Sequence, residues 1–394
     1  MKNVALGDVC EIVGGGTPSK KNEAFYTGDI PWATVRDMNV DVISDTDCCI
    51  TEAAVKASST NVIPCGNVVI ATRVGLGKVC ILERDTAINQ DLRGLVPKCP
   101  EQVLPKYLFY WYKTVAPGVI SAGTGATVQG VKLDFVKSLQ LPLPPLPEQK
   151  RIVAILDEAF AAIDKAMANT EKNLANAREL FESHLQSVFT QSGEGWVKAT
   201  LNEATGGIST GPFGSLLHKS DYIENGIPLV NPAHITQVGI EPDPRKTVSK
   251  ETSHRLSKYI MNKDDIVIGR RGEMGRCAVV TEVEDGWLCG TGSFFIKPSS
   301  RCDTRYLVRF LRSDSCKRRL EKIAGGAVMP NLSNTDLGDF EFDLPPVEQQ
   351  KTIIEGIDEM SAETRSLESI YQQKSAAFTE LKQSLLHQAF AGAL

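Results

Sequence analysis

Two arginines hold corresponding places in two similar stretches of the sequence. Arg73 ends the strand-like run VVIATR, and Arg271 ends the run IVIGRR. A glycine-containing turn follows each of them, with Gly77 in the first stretch and Gly275 in the second. A planar guanidinium can bond in paired fashion to a guanine edge or a phosphate, and glycine lets the backbone approach closely. The pattern indicates two nucleic-acid contacts, although arginines paired with carboxylates beside structural turns would give the same pattern.

Other polar residues of the two stretches are candidates for the same chemistry. Lys20 and Lys21 follow a glycine-rich loop and could contact phosphates, or could simply be solvated. Arg36 in WATVRDM corresponds in place to the segment of Asn231 and His234 in LVNPAHI. Different polar residues at equivalent places suit two sites for different bases, and they equally suit two diverged structural loops. The complete candidate set is Lys20, Lys21, Arg36, Arg73, Lys219, Asn231, His234, Arg270 and Arg271.

A basic cluster in the second half offers a further possibility. Six arginines and lysines fall between residues 305 and 319 on a predicted helix. They could follow a phosphate backbone, or they could form a solvated helix face.

Motifs for catalysis and for cofactor binding are not found in the sequence. There is no GxxxxGK[ST] phosphate loop, no HExxH, no GxSxG and no GxGxxG in a strand-to-helix setting. The ten cysteines lack CxxC spacing, and we expect reduced, mostly buried thiols. We therefore predict no catalytic residue, no metal ligand and no cofactor on this chain.

An internal repeat positions the candidate residues. The segments LPPLPEQKRIVAILDE (143–158) and LPPVEQQKTIIEGIDE (344–359) align without a gap, 201 residues apart. A period of this length indicates duplicated domains rather than a solenoid. Two similar domains related by an approximate two-fold axis suit a partner that is itself nearly two-fold, such as duplex DNA or a pair of identical subunits.

Each repeat ends in a long predicted helix. Residues 147–190 contain no glycine and a single proline at the first position, and apolar residues recur at steps of three and four. The second copy has the same pattern, so we predict helices over 147–191 and 346–394, each roughly 60 Å long. We expect them to pack antiparallel against each other. The predicted packing residues are Leu156, Ile163, Phe181, Ile357, Leu367 and Leu381.

Charge is distributed unevenly along the 394 residues, whose net charge is −5. Residues 1–146 carry 14 basic and 14 acidic side chains, and residues 197–345 carry 20 and 19, whereas each helical segment is acidic. Nearly neutral domains can still concentrate basic groups on one face, so the total charge does not exclude DNA. No apolar run is long enough for a signal peptide or a membrane span, and we expect a cytoplasmic protein without a membrane partner.

The predicted fold class is α+β. Two similar mixed α/β domains, domain 1 (residues 1–146) and domain 2 (residues 197–345), would be joined by the two antiparallel coiled-coil helices in a pseudo-two-fold arrangement.

The chain resembles the specificity subunits of type I restriction–modification systems over nearly its full length. The resemblance rests on PPLPEQKRI (144–152) and PPVEQQKTI (345–353), on GGGTPSK, on the GIP-like segments, and on the strand–arginine–glycine turns. It implies that each domain is a target recognition domain for one half of a bipartite asymmetric DNA sequence. It implies that the helices set the length of the spacer, and that the chain itself catalyses nothing.

The same resemblance implies the partners. Two methylation subunits would bring adenine methylation and S-adenosylmethionine, and restriction subunits would bring ATP- and Mg-dependent translocation and cleavage. Two alternatives stay open. The chain could be the specificity module of a type II restriction–methylation enzyme, or it could be an enzyme whose active site uses an unfamiliar motif.

Overall fold

The computed structural model describes residues 2–125, 130–213, 216–325 and 331–394. The chain divides into two compact units: unit 1 is Met1–Glu171 with Tyr371–Leu394, and unit 2 is Lys172–Ile370. Each unit holds one globular domain and a part of each long helix. Within the described ranges, no helix is long and apolar enough to cross a membrane.

Domain 1 contains eleven short strands and four helices before the first long helix. Its elements are β1 (Asn3–Ala5), α1 (Leu6–Val9), β2 (Cys10–Gly14), β3 (Ile30–Ala33), β4 (Val42–Ile43), β5 (Cys49–Ile50), α2 (Glu52–Lys56), β6 (Asn61–Ile63), β7 (Val68–Ala71), β8 (Val79–Leu82), β9 (Thr86–Ile88), β10 (Leu92–Pro97), α3 (Pro105–Ser121), α4 (Leu133–Ser138) and β11 (Gln140–Pro142).

Two sheets form the body of domain 1. One has the order β2-β10-β7-β8-β4 and the other has the order β5-β3-β9-β6, while β1 pairs with β11. Strand β7 lies in the middle of the five-stranded sheet, and all four of its residues are buried. Its β-branched sequence VVIA suits a strand that is covered on both faces. Helix α3 begins with Pro105 at its first turn and buries an aromatic face against this sheet.

Domain 2 repeats this plan with small changes. Its elements are β12 (Val197–Thr200), α6 (Leu201–Ala204), β13 (Ile208–Thr210), β14 (Tyr222–Ile223), β15 (Ile227–Val230), β16 (Thr247–Val248), α7 (Lys250–Arg255), β17 (Ile266–Gly269), β18 (Cys277–Val279), β19 (Leu288–Cys289), β20 (Ser293–Ile296), α8 (Thr304–Arg312), α9 (Asp314–Ile323), α10 (Asn334–Gly338) and β21 (Glu341–Leu344).

The sheets of domain 2 correspond to those of domain 1. They have the orders β13-β20-β17-β18 and β14-β16-β15-β19, and β12 pairs with β21. The buried strand β17, IVIG, takes the place of β7. The helix predicted to carry the basic cluster at 305–319 is broken at Ser313, whose hydroxyl accepts a hydrogen bond from the Cys316 backbone N–H and so starts α9. The predicted α+β fold class with two similar domains is confirmed.

The two long helices are α5 (Leu146–Thr190) and α11 (Val347–Ala391). In unit 1 they run antiparallel, since Asp164 pairs with Lys382 while Arg151 donates to the Leu394 carbonyl. In unit 2, Arg178 pairs with Glu368, with 2.6 Å between Nε and Oε1. Further along α5, Phe189 packs into the same core as Ile354 and Ile357 near the start of α11, so the two helices run antiparallel in unit 2 as well.

The seam of α5 matches the prediction, whereas that of α11 differs. Leu156, Ile163 and Ile357 are buried, and Phe181 packs against the core of unit 2. Leu367 and Leu381 are 40% and 45% exposed, so their predicted packing role is wrong. The less exposed positions of α11 advance by three and four through polar residues: Ile354, Ile357, Ser361, Thr364, Glu368, Tyr371, Ser375, Phe378, Lys382, Leu385 and Ala389.

The exposure of Leu367 and Leu381 has a simple physical cause. Glu368 and Lys382 follow the two misassigned leucines directly, and each forms an ion pair with α5. Each residue turns an α-helix by about 100°. The leucines therefore point away from α5, and the charged residues that follow them point toward it.

Buried glutamines attach each domain to its long helix. The Gln149 side chain accepts from the Leu104 backbone N–H at 2.9 Å and donates to the carbonyls of Gln102 and Pro144 at 2.7 and 2.9 Å. Gln350 repeats this pattern in domain 2. Both side chains are fully buried, so their amides must be satisfied internally. The repeated PPxxxQ sequence thus encodes one glutamine clamp per domain.

An aspartate about two helical turns beyond each glutamine strengthens the attachment. Asp157 accepts from Lys106 and from the Tyr110 hydroxyl, at 2.7 and 2.6 Å. The equivalent Asp358 pairs with Arg305 and Arg309. Burial and the hydrogen bond to Asp157 raise the pKa of Tyr110, which keeps its hydroxyl a donor.

Candidate nucleic-acid interface

Arg73 lies just beyond the end of β7, where the chain leaves the five-stranded sheet. Its backbone forms an isolated antiparallel bridge with Gly130. Its side chain is 51% exposed, and Nη1 lies 3.6 Å from Oδ1 of the less exposed Asp91. An ion pair of this length on the surface stabilises little and leaves most of the guanidinium free to bond elsewhere. Arg73 is thus accessible but faces a carboxylate.

A cleft of about 620 Å³ lies beside this arginine in domain 1. Lys20, Arg36 and Asp91 line it together with Trp32. The structure therefore brings Lys20 and Arg36 together and links Arg73 to them through Asp91. Lys21 is exposed but does not line the cleft. Two further carboxylates, Asp37 and Asp47, complete the lining and make this face mixed in charge rather than basic.

Arg36 is held by a short 3-10 turn, Val35–Asp37. Thr34 and Asp37 cap this turn reciprocally: the Thr34 backbone N–H donates to Asp37 Oδ2 at 2.7 Å, and the Arg36 backbone N–H donates to Thr34 Oγ1 at 3.2 Å. The capping leaves the Arg36 side chain directed at solvent beside the cleft.

Domain 2 uses the same turn with other residues. In the 3-10 turn Pro232–His234, the Asn231 backbone N–H lies 3.3 Å from His234 Nδ1, and that nitrogen is also 3.0 Å from the Leu229 carbonyl oxygen. The imidazole is therefore engaged in shaping the turn. Lys219 is exposed on a separate 3-10 turn, Lys219–Asp221.

The arginines of domain 2 differ from each other in burial. Arg271 is exposed, bridges to Asn331 through its backbone, and places Nε 3.4 Å from Asn331 Oδ1. Arg270 is only 9% exposed and donates from Nε to the same oxygen at 3.1 Å. Burial, and then the adjacent Arg271 charge, lower the pKa of the Arg270 guanidinium. Among the ion pairs of the described ranges, none includes either arginine.

Equivalent backbone hydrogen bonds align the two faces residue by residue. The Thr72 N–H donates to the Asp91 carbonyl at 2.9 Å, and the Arg270 N–H donates to the Gly292 carbonyl at 3.0 Å. Arg270 thus takes the place of Thr72, and Gly292 takes the place of Asp91. The Asp91 carboxylate beside Arg73 could not be predicted from a local pattern, because 18 positions separate the two residues along the chain.

A close backbone approach recurs in both domains next to these faces. A Cβ added at Gly15 would lie 2.0 Å from the Asn89 carbonyl oxygen, and one added at Gly211 would lie 2.0 Å from the Gly290 oxygen. No other residue type fits without moving the backbone. These glycines bring the end of β2 in domain 1, and of β13 in domain 2, against the loop that carries Asp91 or Gly292.

The basic cluster at 305–319 serves mainly to hold the domain together. Arg305 and Arg309 pair with Asp358, and Arg312 donates to the carbonyls of Thr236, Gln237 and Cys277. Because these three guanidiniums already bond to acceptors within the chain, they are neither free to follow a phosphate backbone nor simply solvated.

In the described part of the chain, no group of three or more His, Cys, Asp or Glu side chains could hold a metal ion. The interface candidates are donors on strand ends and short turns, which can bond to base edges and phosphates.

Comparison with known proteins assigns the chain to a family. It is 25% identical over 361 residues to the type I restriction enzyme MjaIX specificity subunit of Methanocaldococcus jannaschii, which covers 86% of this chain and 82% of that protein. A solved HsdS subunit from Thermoanaerobacter tengcongensis matches 100% of this chain and 97% of its own, with a TM-score of 0.69 and 20% identity. A structure concerning complex assembly and conformational transition of the type I R-M system matches 100% and 98%, with a TM-score of 0.76 and 21% identity. Residues 1–174 and 212–374 match the family described as type I restriction modification DNA specificity domain, and because the match covers more than half of the chain and falls in both halves, the protein belongs to that family.

Proposed function

We propose that this chain is the sequence-specific DNA-binding specificity subunit of a type I restriction–modification complex. Domain 1 binds one half of a bipartite asymmetric target, and domain 2 binds the other half. Partner subunits perform the chemistry: two methylation subunits with S-adenosylmethionine, and restriction subunits with ATP and Mg²⁺. The chain itself contributes recognition and no catalysis.

One observation carries this proposal. Each domain presents an exposed arginine just after its central buried strand, Arg73 after β7 and Arg271 after β17. The backbone of each arginine forms an isolated antiparallel β-bridge, Arg73 with Gly130 and Arg271 with Asn331. Around these equivalent arginines the side chains differ, as two faces for different base sequences require. Family membership supports the role in DNA specificity, and the differing faces support an asymmetric target.

The experiment is a selection of bound duplexes from a random library by the full chain with its methylation subunits. The wild-type protein should enrich two short conserved blocks separated by a gap of fixed length. Arg73→Ala should relax the preference within one block, and Arg271→Ala should relax it within the other. Losing a good contact to a base edge costs about 1–3 kcal/mol, which is roughly a fivefold to 150-fold loss of preference at one position.

Three outcomes would each contradict a part of the proposal. Enrichment of no sequence by the wild-type protein would remove the DNA-binding function. A uniform loss of affinity for every sequence in Arg73→Ala would make that arginine a phosphate contact rather than a base contact. Methyl transfer by the purified chain without partner subunits would remove the non-catalytic assignment.

A second test concerns the spacer, which the proposal assigns to the long helices. Four residues inserted after Thr170 add about 6 Å and slightly more than one helical turn, so the seam is approximately kept. The variant should retain both blocks and prefer a gap longer by about one or two base pairs. An unchanged gap would assign the spacing to the methylation subunits instead.

A further inference from the structure

Arg270 carries a buried guanidinium that has no counter-charge among the residues that the structure describes. The residue is only 9% exposed, its Nε donates to Asn331 Oδ1, and its Nη1 is shielded from solvent without a hydrogen-bond partner in the described structure. Leaving a buried cationic donor unpaired is costly, and folded proteins seldom retain one without a use. The equivalent residue of domain 1 is Thr72, so the fold does not require an arginine here.

Two phenylalanine rings enclose this guanidinium. The Arg270 Cζ atom lies 5.2 Å from the centroid of Phe213 and 5.4 Å from that of Phe294. Phe294 is fully buried in the core, whereas Phe213 is 46% exposed. Phe213 is therefore the more solvent-facing of the two rings beside the guanidinium, which shares the Asn331 Oδ1 acceptor with Arg271. Cation–π attraction holds the guanidinium between the rings, but it does not satisfy the Nη1 donor.

A second unsatisfied group lies on the neighbouring strand β20. Ser293 is fully buried, and its hydroxyl has no hydrogen-bond partner within the described ranges. It faces Gly269, the residue before Arg270, across the β17–β20 ladder. The described chain contains three such buried side-chain atoms, and the third, the Tyr112 hydroxyl, belongs to the other domain. Phe294, which contacts Arg270, follows Ser293 on β20 and points to the opposite face of the sheet, so the Ser293 hydroxyl is a separate unsatisfied group and Arg270 is the one beside the rings.

We propose that Arg270 is the group through which domain 2 bonds to a hydrogen-bond acceptor of the bound duplex, with Phe213 covering it in the free chain. The inference rests on the proposed function and adds a specificity-determining pair to it. The acceptor is the O6/N7 edge of a guanine or a phosphate oxygen, both of which a guanidinium binds in paired fashion. Phe213 must move aside before DNA can contact Arg270. Only DNA that supplies the acceptor offsets the free-energy cost of that movement. The cover therefore suppresses non-specific binding.

The test uses the full chain and two duplexes. One carries the target selected by the wild-type protein, and the other carries the same target with the domain 2 block scrambled. Arg270→Met keeps the length of the side chain and removes its donors. Arg365→Met, on an exposed arginine of α11 in the same unit, is the matched control. Arg270→Met should weaken target binding about tenfold to a hundredfold, and Arg365→Met should leave it unchanged.

The cover is tested separately through Phe213. Phe213→Ala should strengthen binding to the scrambled duplex severalfold and so reduce the ratio between target and scrambled DNA. Phe213→Leu keeps an apolar cover and should preserve that ratio. Equal binding of the scrambled duplex by Phe213→Ala and wild type would overturn the covering role.

Two arms identify the acceptor. If replacing one guanine of the domain 2 block by 7-deazaguanine weakens the wild-type protein but not Arg270→Met, the acceptor is that guanine. If Arg270→Met weakens the target and the scrambled duplex equally, the acceptor is a phosphate. If the wild type selects its target and Arg270→Met binds both duplexes as the wild type does, the inference is overturned but the proposed function is not. A wild-type chain that selects no target overturns the function itself.

Thermal unfolding separates recognition from stability. Replacing a buried unpaired charge by an apolar side chain of similar length should leave the unfolding midpoint unchanged or raise it. A lower midpoint with undiminished target preference would assign Arg270 a structural role and overturn the inference.

Discussion

Domain 1 and domain 2 place an arginine beyond the same strand and surround it in opposite ways. Arg73 faces Asp91 beside an open cleft that also holds Asp37 and Asp47. In domain 2 the carboxylate position is Gly292, and a second arginine, Arg270, lies beneath an aromatic cover. The backbone hydrogen bonds are conserved between the copies, while the charge of the face is not.

The difference shows which parts of the repeat determine the fold and which determine the ligand. The glutamine clamps, the close glycines and the central buried strands recur because each satisfies a packing or hydrogen-bonding requirement. Side chains beyond the strand ends meet no such requirement and have diverged. A carboxylate in domain 1 can accept from cytosine or adenine amino groups, whereas the guanidiniums of domain 2 suit guanine or phosphate.

The shared scaffold predicts the largest effect. Gln149→Ala and Gln350→Ala each remove a buried amide that makes three hydrogen bonds to the backbone. Each should destabilise its own unit by about 3–5 kcal/mol, since buried backbone groups lose their partners. Hydrogen–deuterium exchange should show lost protection at Leu104 in the first variant and at Asp303 in the second.

The exposed neighbour Lys150 provides the control, because Lys150→Ala removes no internal hydrogen bond in the described structure. Strongly unequal effects of the two glutamine variants would break the equivalence of the scaffolds.

The helix seam predicts an effect of intermediate size. Ile357→Ala should destabilise unit 2 by about 2–5 kcal/mol, because the isoleucine is fully buried in its core. Leu367→Ala on the same helix should change stability by less than about 0.5 kcal/mol, because that leucine is exposed. The midpoint of thermal unfolding measures both variants, and a larger shift for Leu367→Ala would restore the apolar seam predicted from the sequence.

The contrast between the faces predicts the smallest effect. Asp91→Asn keeps the shape of the side chain and removes the negative charge beside Arg73. Binding to the selected target should strengthen about twofold to fivefold where Asp91 opposes a phosphate, since an exposed ion pair contributes up to about 1 kcal/mol. The gain should shrink as salt is added.

Asp134→Asn, the same charge change at an exposed position of α4, should have no such effect. If Asp91→Asn instead weakens binding to one base pair of the domain 1 block, Asp91 itself contacts an amino group, and the two faces differ in chemistry even more than in charge.

Much of the scaffold could be predicted because periodicity and repetition record it directly. The ungapped match at 143–158 and 344–359 located the start of α5 and α11 to within a residue or two, and the β-branched runs located β7 and β17. The α5 seam was correct because its inward positions are apolar. The α11 seam failed at Leu367 and Leu381 because ion pairs to α5 occupy the inward positions.

The candidate interface was less predictable, because its properties depend on residues that are distant in sequence. No local pattern separates the buried Arg270 from the exposed Arg271 beside it, since Phe213 and Phe294 determine the difference. The basic run at 305–319 had the composition of a phosphate-binding face, yet Asp358 and backbone carbonyls take up much of it. The assignment of individual candidate residues to bases remains a prediction.

The glutamine clamps have an evolutionary consequence. Gln149 and Gln350 recognise only backbone groups of the domain they hold, at residues 102, 104 and 144 and at 301, 303 and 345. A joint of this kind is indifferent to the side chains of the attached domain. Recombination within the PPxxxQ segment could therefore replace an entire domain, and with it a target half, while the joint stays intact. New specificities can arise by exchange of whole modules in a single event, without a succession of compensating point mutations.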